Sequence, residues 1–235
     1  MRMRILVTAT AVAALGLTSS AWAVNADQTI TVKVSPTKAG TKKKPANVKL
    51  TVETDTKPLD ATPFANRQVT IHFDKHLVFN PKKFKTCSAQ TVQANESKCP
   101  KGSKVGGGTG VGTALGIVSN LTVSAYNGPH GKFLLHIVSP GPPQVDGVIQ
   151  ASLKKDKGKY GYKLVLPVPD NLQQPVPGVF AVLLKFVTAT KGTSKGVPYI
   201  GLTGCPASHK LSFKGDFNYS DGTSKTATDT VRCRR

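Results

Sequence analysis

Apolar and polar residues alternate with a period of two along most of this chain, and helical periodicity is nearly absent. "TITVKVS" puts Ile30, Val32 and Val34 on one face, "NVKLTVE" puts Val48, Leu50 and Val52, and "VTIHFD" puts Val69, Ile71 and Phe73. "KLSFKGDFNY" sets Leu211, Phe213, Phe217 and Tyr219 against Lys210, Lys214, Asp216 and Asn218. Each such run is a half-buried strand with one wet face. "KFLLHIVS" and "VFAVLLKFVTAT" are nearly continuous apolar runs and predict strands covered on both sides. Turn signals such as "NGPHG", "SPGPPQVDG" and "ATKGTSKG" separate the runs, and Asp221-Gly222 is the clearest hairpin. The pattern predicts an all-β fold, an antiparallel β-sandwich of about eleven strands. At most one short helix is expected, within "CSAQTVQA" at 87–94.

The chain opens on "MRMR" and an apolar run at 5–17, followed by a small-x-small pattern ending at Ala23. This reads as a secretory signal peptide over 1–23. Residues 24–235 are then expected to form a single large β-sandwich domain, the alternative being two Ig-like sandwiches split near 127–131. Four cysteines in an exported chain predict two disulfides, with three connectivities open. Pairing Cys87 with Cys99 and Cys205 with Cys233 closes the shortest loops and keeps each bridge within one half of the chain.

Several apparent sites do not meet their motif's geometry. In "CPKGSKVGGGTGVGTALG" glycines fall at 106, 108, 110 and 112, whereas phosphate loops require glycines opening a helix. Period two predicts a strand whose bare face is approached by another backbone. "GTSKG" at 192–196 matches a serine-hydrolase expression, but extended residues follow it, so Ser194 reads as a hairpin residue. His72, Asp74 and His76 alternate and would share a strand face suited to a metal, which is the alternative to their being its polar outside. His130, His136 and His209 show no pairing with an acid in sequence, and the 12 acids are scattered singly. No catalytic residue and no cofactor motif emerges, so a non-enzymatic protein is expected. An extracellular hydrolase whose residues meet only in three dimensions is an alternative.

The charge balance carries the functional reading. Lys and Arg number 32 against 12 Asp and Glu, for a net charge of +20. The lysines cluster at Lys42, Lys43 and Lys44, at Lys82, Lys83 and Lys85, and at Lys154, Lys155 and Lys157. Such a field attracts polyanions, and outside a cell these are anionic polymers of the envelope. Nucleic acid is excluded as a partner by the leader and by the lack of an exposed aromatic pattern. The apolar leader is too short for a transmembrane anchor, so no such anchor is expected in the mature chain. The expectation is a secreted or cell-wall-associated structural or adhesive protein held by its loop lysines; a metal- or small-ligand-binding module is a further alternative.

"SPTKAGTKKKPANVKLTV", "FNPKKFKTC" running on to "CPKGSKVGGGTG", and the closing "LTGCPASHKLSFKGDFNYSDGTSKTATDTVRC" resemble a group of exported actinobacterial proteins of uncharacterised activity. The Cys-Pro-x-Gly-Ser-x-Val-Gly segment is the most specific part of the resemblance. It implies an extracellular β-rich fold with two disulfides, and it carries no site residue over.

Overall fold

The computed structural model describes residues 26–58 and 64–235, so the leader expected at 1–23 lies outside the described residues. Eleven strands form one antiparallel sheet: β1 (Ala26–Ser35), β3 (Lys49–Pro58), β4 (Asn66–Asp74), β6 (Lys104–Ala114), β7 (Ile117–Asn127), β8 (Lys132–Ser139), β9 (Val145–Lys155), β10 (Tyr160–Pro167), β11 (Val182–Thr190), β15 (Lys210–Tyr219) and β16 (Ser224–Arg232). Their order is β1-β3-β11-β6-β7-β8-β9-β10-β4-β15-β16, so strands from both sides of 127–131 are interleaved. The sheet curls until its edge strands β1 and β16 lie side by side, which makes it nearly barrel-shaped. Side chains join the edges: the Val32 amide donates to the Asp229 carboxylate at 2.6 Å, and the Tyr219 hydroxyl on neighbouring β15 donates to Gln28 Oε1 at 2.9 Å.

The alternation of the sequence becomes the inside and outside of this curl. Ile30, Val32 and Val34, Ile71 and Phe73, and Leu211 and Phe213 all enter one continuous core. Because neighbouring strands are antiparallel, their register sorts every loop to one of two ends. A three-stranded sheet of β2 (Ala46–Asn47), β5 (Leu77–Phe79) and β14 (Ile200–Leu202) lies where β4 stops and β3 begins. Val48, Leu77, Ile200 and Leu202 are fully buried there and cap that end. Cys205–Cys233 ties the close of the last strand to the same capped end, where the Cys233 amide also donates to His209 O. The hairpin of β12 (Thr193–Ser194) and β13 (Val197–Pro198) turns through Lys195 and Gly196, both at positive φ, so Ser194 is a hairpin residue as the sequence indicates.

Cys87–Cys99 clasps a loop that crosses the outer wall. Helix α1 (Ala89–Ala94) sits in it, with the Ser88 hydroxyl accepting from the Thr91 amide at its N-terminus. Val92 packs with Tyr126 and Leu134 to form a second, smaller core outside the sheet. This cover explains why β8 is buried on both faces, as its apolar run predicts. The equally apolar β11 has no such cover: its outer face is half-exposed, with Lys185 pairing with Glu53 and Asp55. A one-turn helix, α2 (Asp170–Gln173), closes over the far end and is not foreseen by the strand pattern.

The glycine stretch is strand β6, hydrogen-bonded between β11 and β7. A Cβ on Gly106 would collide with the Ala189 carbonyl oxygen, and one on Gly108 with that of Val187. Only glycine lets the backbones approach this closely. At Gly112 the nearest atom to an added Cβ is 3.5 Å away, an ordinary contact. Gly108→Ala is therefore expected to lower unfolding free energy by about 1–3 kcal/mol. Gly112→Ala should leave it nearly unchanged, and denaturant midpoints for the two variants check the contrast.

Candidate functional site

Register brings all three lysine clusters to the capped end. Lys42, Lys43 and Lys44 lie between β1 and β3, Lys82, Lys83 and Lys85 follow β5, and Lys154, Lys155 and Lys157 lie at the β9–β10 turn. Each group is held by a local device. The first turn closes on Thr41, whose amide donates to Lys44 O and whose hydroxyl accepts from the Lys44 amide. The second is gripped by Asn127, fully buried, whose Nδ2 donates to the carbonyls of Pro81, Phe84 and Lys85 at 3.0, 3.4 and 3.1 Å. Tyr199 donates to the Oδ1 of the same amide at 3.1 Å and fixes its orientation.

The third group is fastened by His72. Its Nδ1 lies 2.5 Å from Asp156 of the β9–β10 turn, and its Nε2 lies 2.8 Å from Asp216 on β15. Lys155 extends over the Tyr162 ring, 3.9 Å from its centroid, and donates to the phenol oxygen. Lys159 lies 5.2 Å from the centroid of Tyr160. A register shift between Tyr160 and Tyr162 separates two tyrosines that simple alternation places together: Tyr162 packs edge-on to Phe79 in the interior and Tyr160 packs on His72 outside.

Among the described residues, none of these nine lysines makes an ion pair within 4.0 Å. The acids of this end are occupied elsewhere. Asp156 is on His72, and Asp74 accepts from the Ser212 amide at 2.9 Å and from His76 Nδ1 at 2.7 Å. The capped end is thus a set of fixed loops bearing unneutralised ammonium groups.

Strand β4 ends at Asp74, so His72, Asp74 and His76 do not converge: His72 joins Asp156 and Asp216, while Asp74 turns to His76. No group of three or more His, Cys, Asp or Glu among the described residues is placed to hold a metal ion. His136, unpaired in sequence, is in fact clamped between Glu96 at 2.7 Å and Asp146 at 2.8 Å. Tyr126 and Ser124 also donate to Glu96, which binds the disulfide-closed loop to the outer wall. These pairings join residues 84, 144 and 40 positions apart and have no local signature. Both nitrogens of His72 and of His136 face carboxylates, leaving neither ring a free nitrogen to activate a nucleophile.

No family model matches the chain, and neither a curated protein nor a solved structure matches it.

Burial acts to raise the carboxyl of Asp156, but the hydrogen bonds from His72 and from the Lys157 amide outweigh it and hold the group below its ordinary value. Glu96 is likewise lowered against the effect of burial by His136, Tyr126 and Ser124. Carboxyls depressed in the folded state stabilise it above their unfolded values, and that contribution disappears as pH falls through the folded values. The melting temperature should therefore drop on acidification through and below about pH 4. Asp156→Asn and Glu96→Gln should each flatten that drop, read by calorimetry across pH 3–7.

Proposed function

We propose that this is a non-enzymatic secreted protein that binds anionic polymers of the cell envelope through the lysines of its capped end. The observation that carries the reading is the segregation of charge. Three lysine clusters far apart in sequence lie at one end on loops held by Thr41, Asn127 and His72. The far end carries fewer cations, among them Lys57, Arg67 and Lys225, and Lys225 stands beside Asp27 at 3.1 Å. Like charges gathered on fixed loops give a directional field, stronger at one end than the net charge spread evenly would give. Lysine is a hydrated point charge without the planar fork of arginine, which suits a repeating polyanion rather than one shaped phosphate. The two disulfides fit an oxidising, extracellular setting. The cavity of about 160 Å³ inside the barrel has no ionisable side chain among its lining residues, so that cavity offers a hydrolase no acid or base.

Retention of the purified protein on isolated cell walls and on immobilised polyglutamate should fall steeply as the screening length shrinks from about 10 Å at 0.1 M salt to about 3 Å at 1 M. Triple charge reversal at Lys42, Lys43 and Lys44 is expected to weaken retention at 0.1 M salt by roughly tenfold or more. Lys57→Gln with Lys225→Gln, at the far end, should change it little. Retention that is insensitive to salt, or equally weakened by both sets, would refute the assignment.

A further inference from the structure

An eleven-stranded sheet that nearly closes encloses more space than an eight-stranded barrel, whose side chains suffice to fill it. Here the interior retains a cavity of about 160 Å³ toward the far end. A second space of about 50 Å³ adjoins it, sharing Val52, Phe73, Phe133, Leu164 and Thr188 in its lining. Strand β6 contributes to the opening, since Gly112 offers no side chain to the wall it forms. Most of the remaining wall is apolar, with Leu121, Leu135, Ile137 and Ile149 among its members. A dry apolar cavity of about 150 Å³ is large enough to take benzene.

Two further observations define what this space suits. Asn66 is more than nine-tenths buried at the start of β4 and lines the cavity, and among the described residues its Oδ1 has no hydrogen-bond partner, nor has Thr188 Oγ1, also in the lining. An unsatisfied buried acceptor is costly and is relieved by a donor brought into the site. The exposed large apolar residues among those described are Phe64, Leu115, Ile117, Val118 and Phe180. Phe64, Leu115, Val118 and Phe180 each adjoin a lining residue in sequence, respectively Ala65, Ala114, Ser119 and Ala181. These residues lie at the far end, opposite the lysines, where the cavity also lies.

The geometry points to a binding site for a small amphipathic molecule, with an apolar body of one-ring size in the barrel and a hydroxyl donating to Asn66 Oδ1. The site is separate from the lysine-bearing end, and its test is independent of polyanion binding. The probes are 4-propylphenol, 4-propylanisole and propylbenzene, followed by titration calorimetry and thermal shift on the full mature protein. The expected result is saturable one-to-one binding, with the phenol bound roughly fivefold or more tightly than the anisole, in which the donor proton is lost. Ile137→Phe and Leu183→Phe, which fill the cavity from different strands, should each weaken all three probes by roughly tenfold or more. Asn66→Leu should bring the phenol-to-anisole ratio to about one while propylbenzene still binds. Circular dichroism identifies any variant that fails to fold, and the two filling variants are independent of each other. Absence of saturable binding in the parent, or affinity unchanged in both folded filling variants, overturns the site; equal affinity for phenol and anisole in the parent overturns the role of Asn66.

Discussion

The meeting of β1 and β16 is the constraint on which the rest of the structure depends. An eleven-stranded antiparallel sheet has two edges of unpaired backbone groups, and curling brings them together. The join is made by side chains: Asp229 accepts from the Val32 amide, and Gln28, almost fully buried, accepts from Tyr219. With the edges together, one face of a single sheet becomes an interior. That interior buries the alternating residues of distant strands in one core, as two facing sheets would.

Curvature has a local cause as well. Bare glycines at 106 and 108 let β6 approach the carbonyls of β11 more closely than any side chain would permit. The same lack of side chains at Gly112 leaves room on the inner wall. The feature that resembles a phosphate loop in sequence is thus a bending strand and part of a cavity wall. Its function in the fold is steric, not electrostatic.

The two ends of the barrel differ because antiparallel register sends alternate loops to opposite ends. Lysine-bearing turns share the end capped by β2, β5 and β14, while the exposed apolar residues share the other. Two histidines, each between two carboxylates, fasten segments to the outer wall: His72 holds the β9–β10 turn and His136 holds the disulfide-closed loop. The His72 clamp therefore keeps one lysine-bearing turn in place, and the His136 clamp keeps the covering loop on the wall.

The sequence by itself determined the alternating strands and most of their inward faces, and it favoured the pairing of Cys87 with Cys99 and Cys205 with Cys233 seen in the structure, because alternation, turn residues and short loops are local properties. It also located the lysine clusters, the short helix near Ser88 and the steric meaning of the glycines. It could not place Asp156 and Asp216 on His72, or Glu96 on His136, since those contacts depend on which strands become neighbours. Of the two apolar runs that predict cover on both faces, tertiary structure alone decided that only β8 has it, because the cover comes from a loop clasped over the outer wall. It alone decided that the lysines share one end and that a cavity remains inside. Both follow from register and closure, which are properties of the whole sheet rather than of any segment.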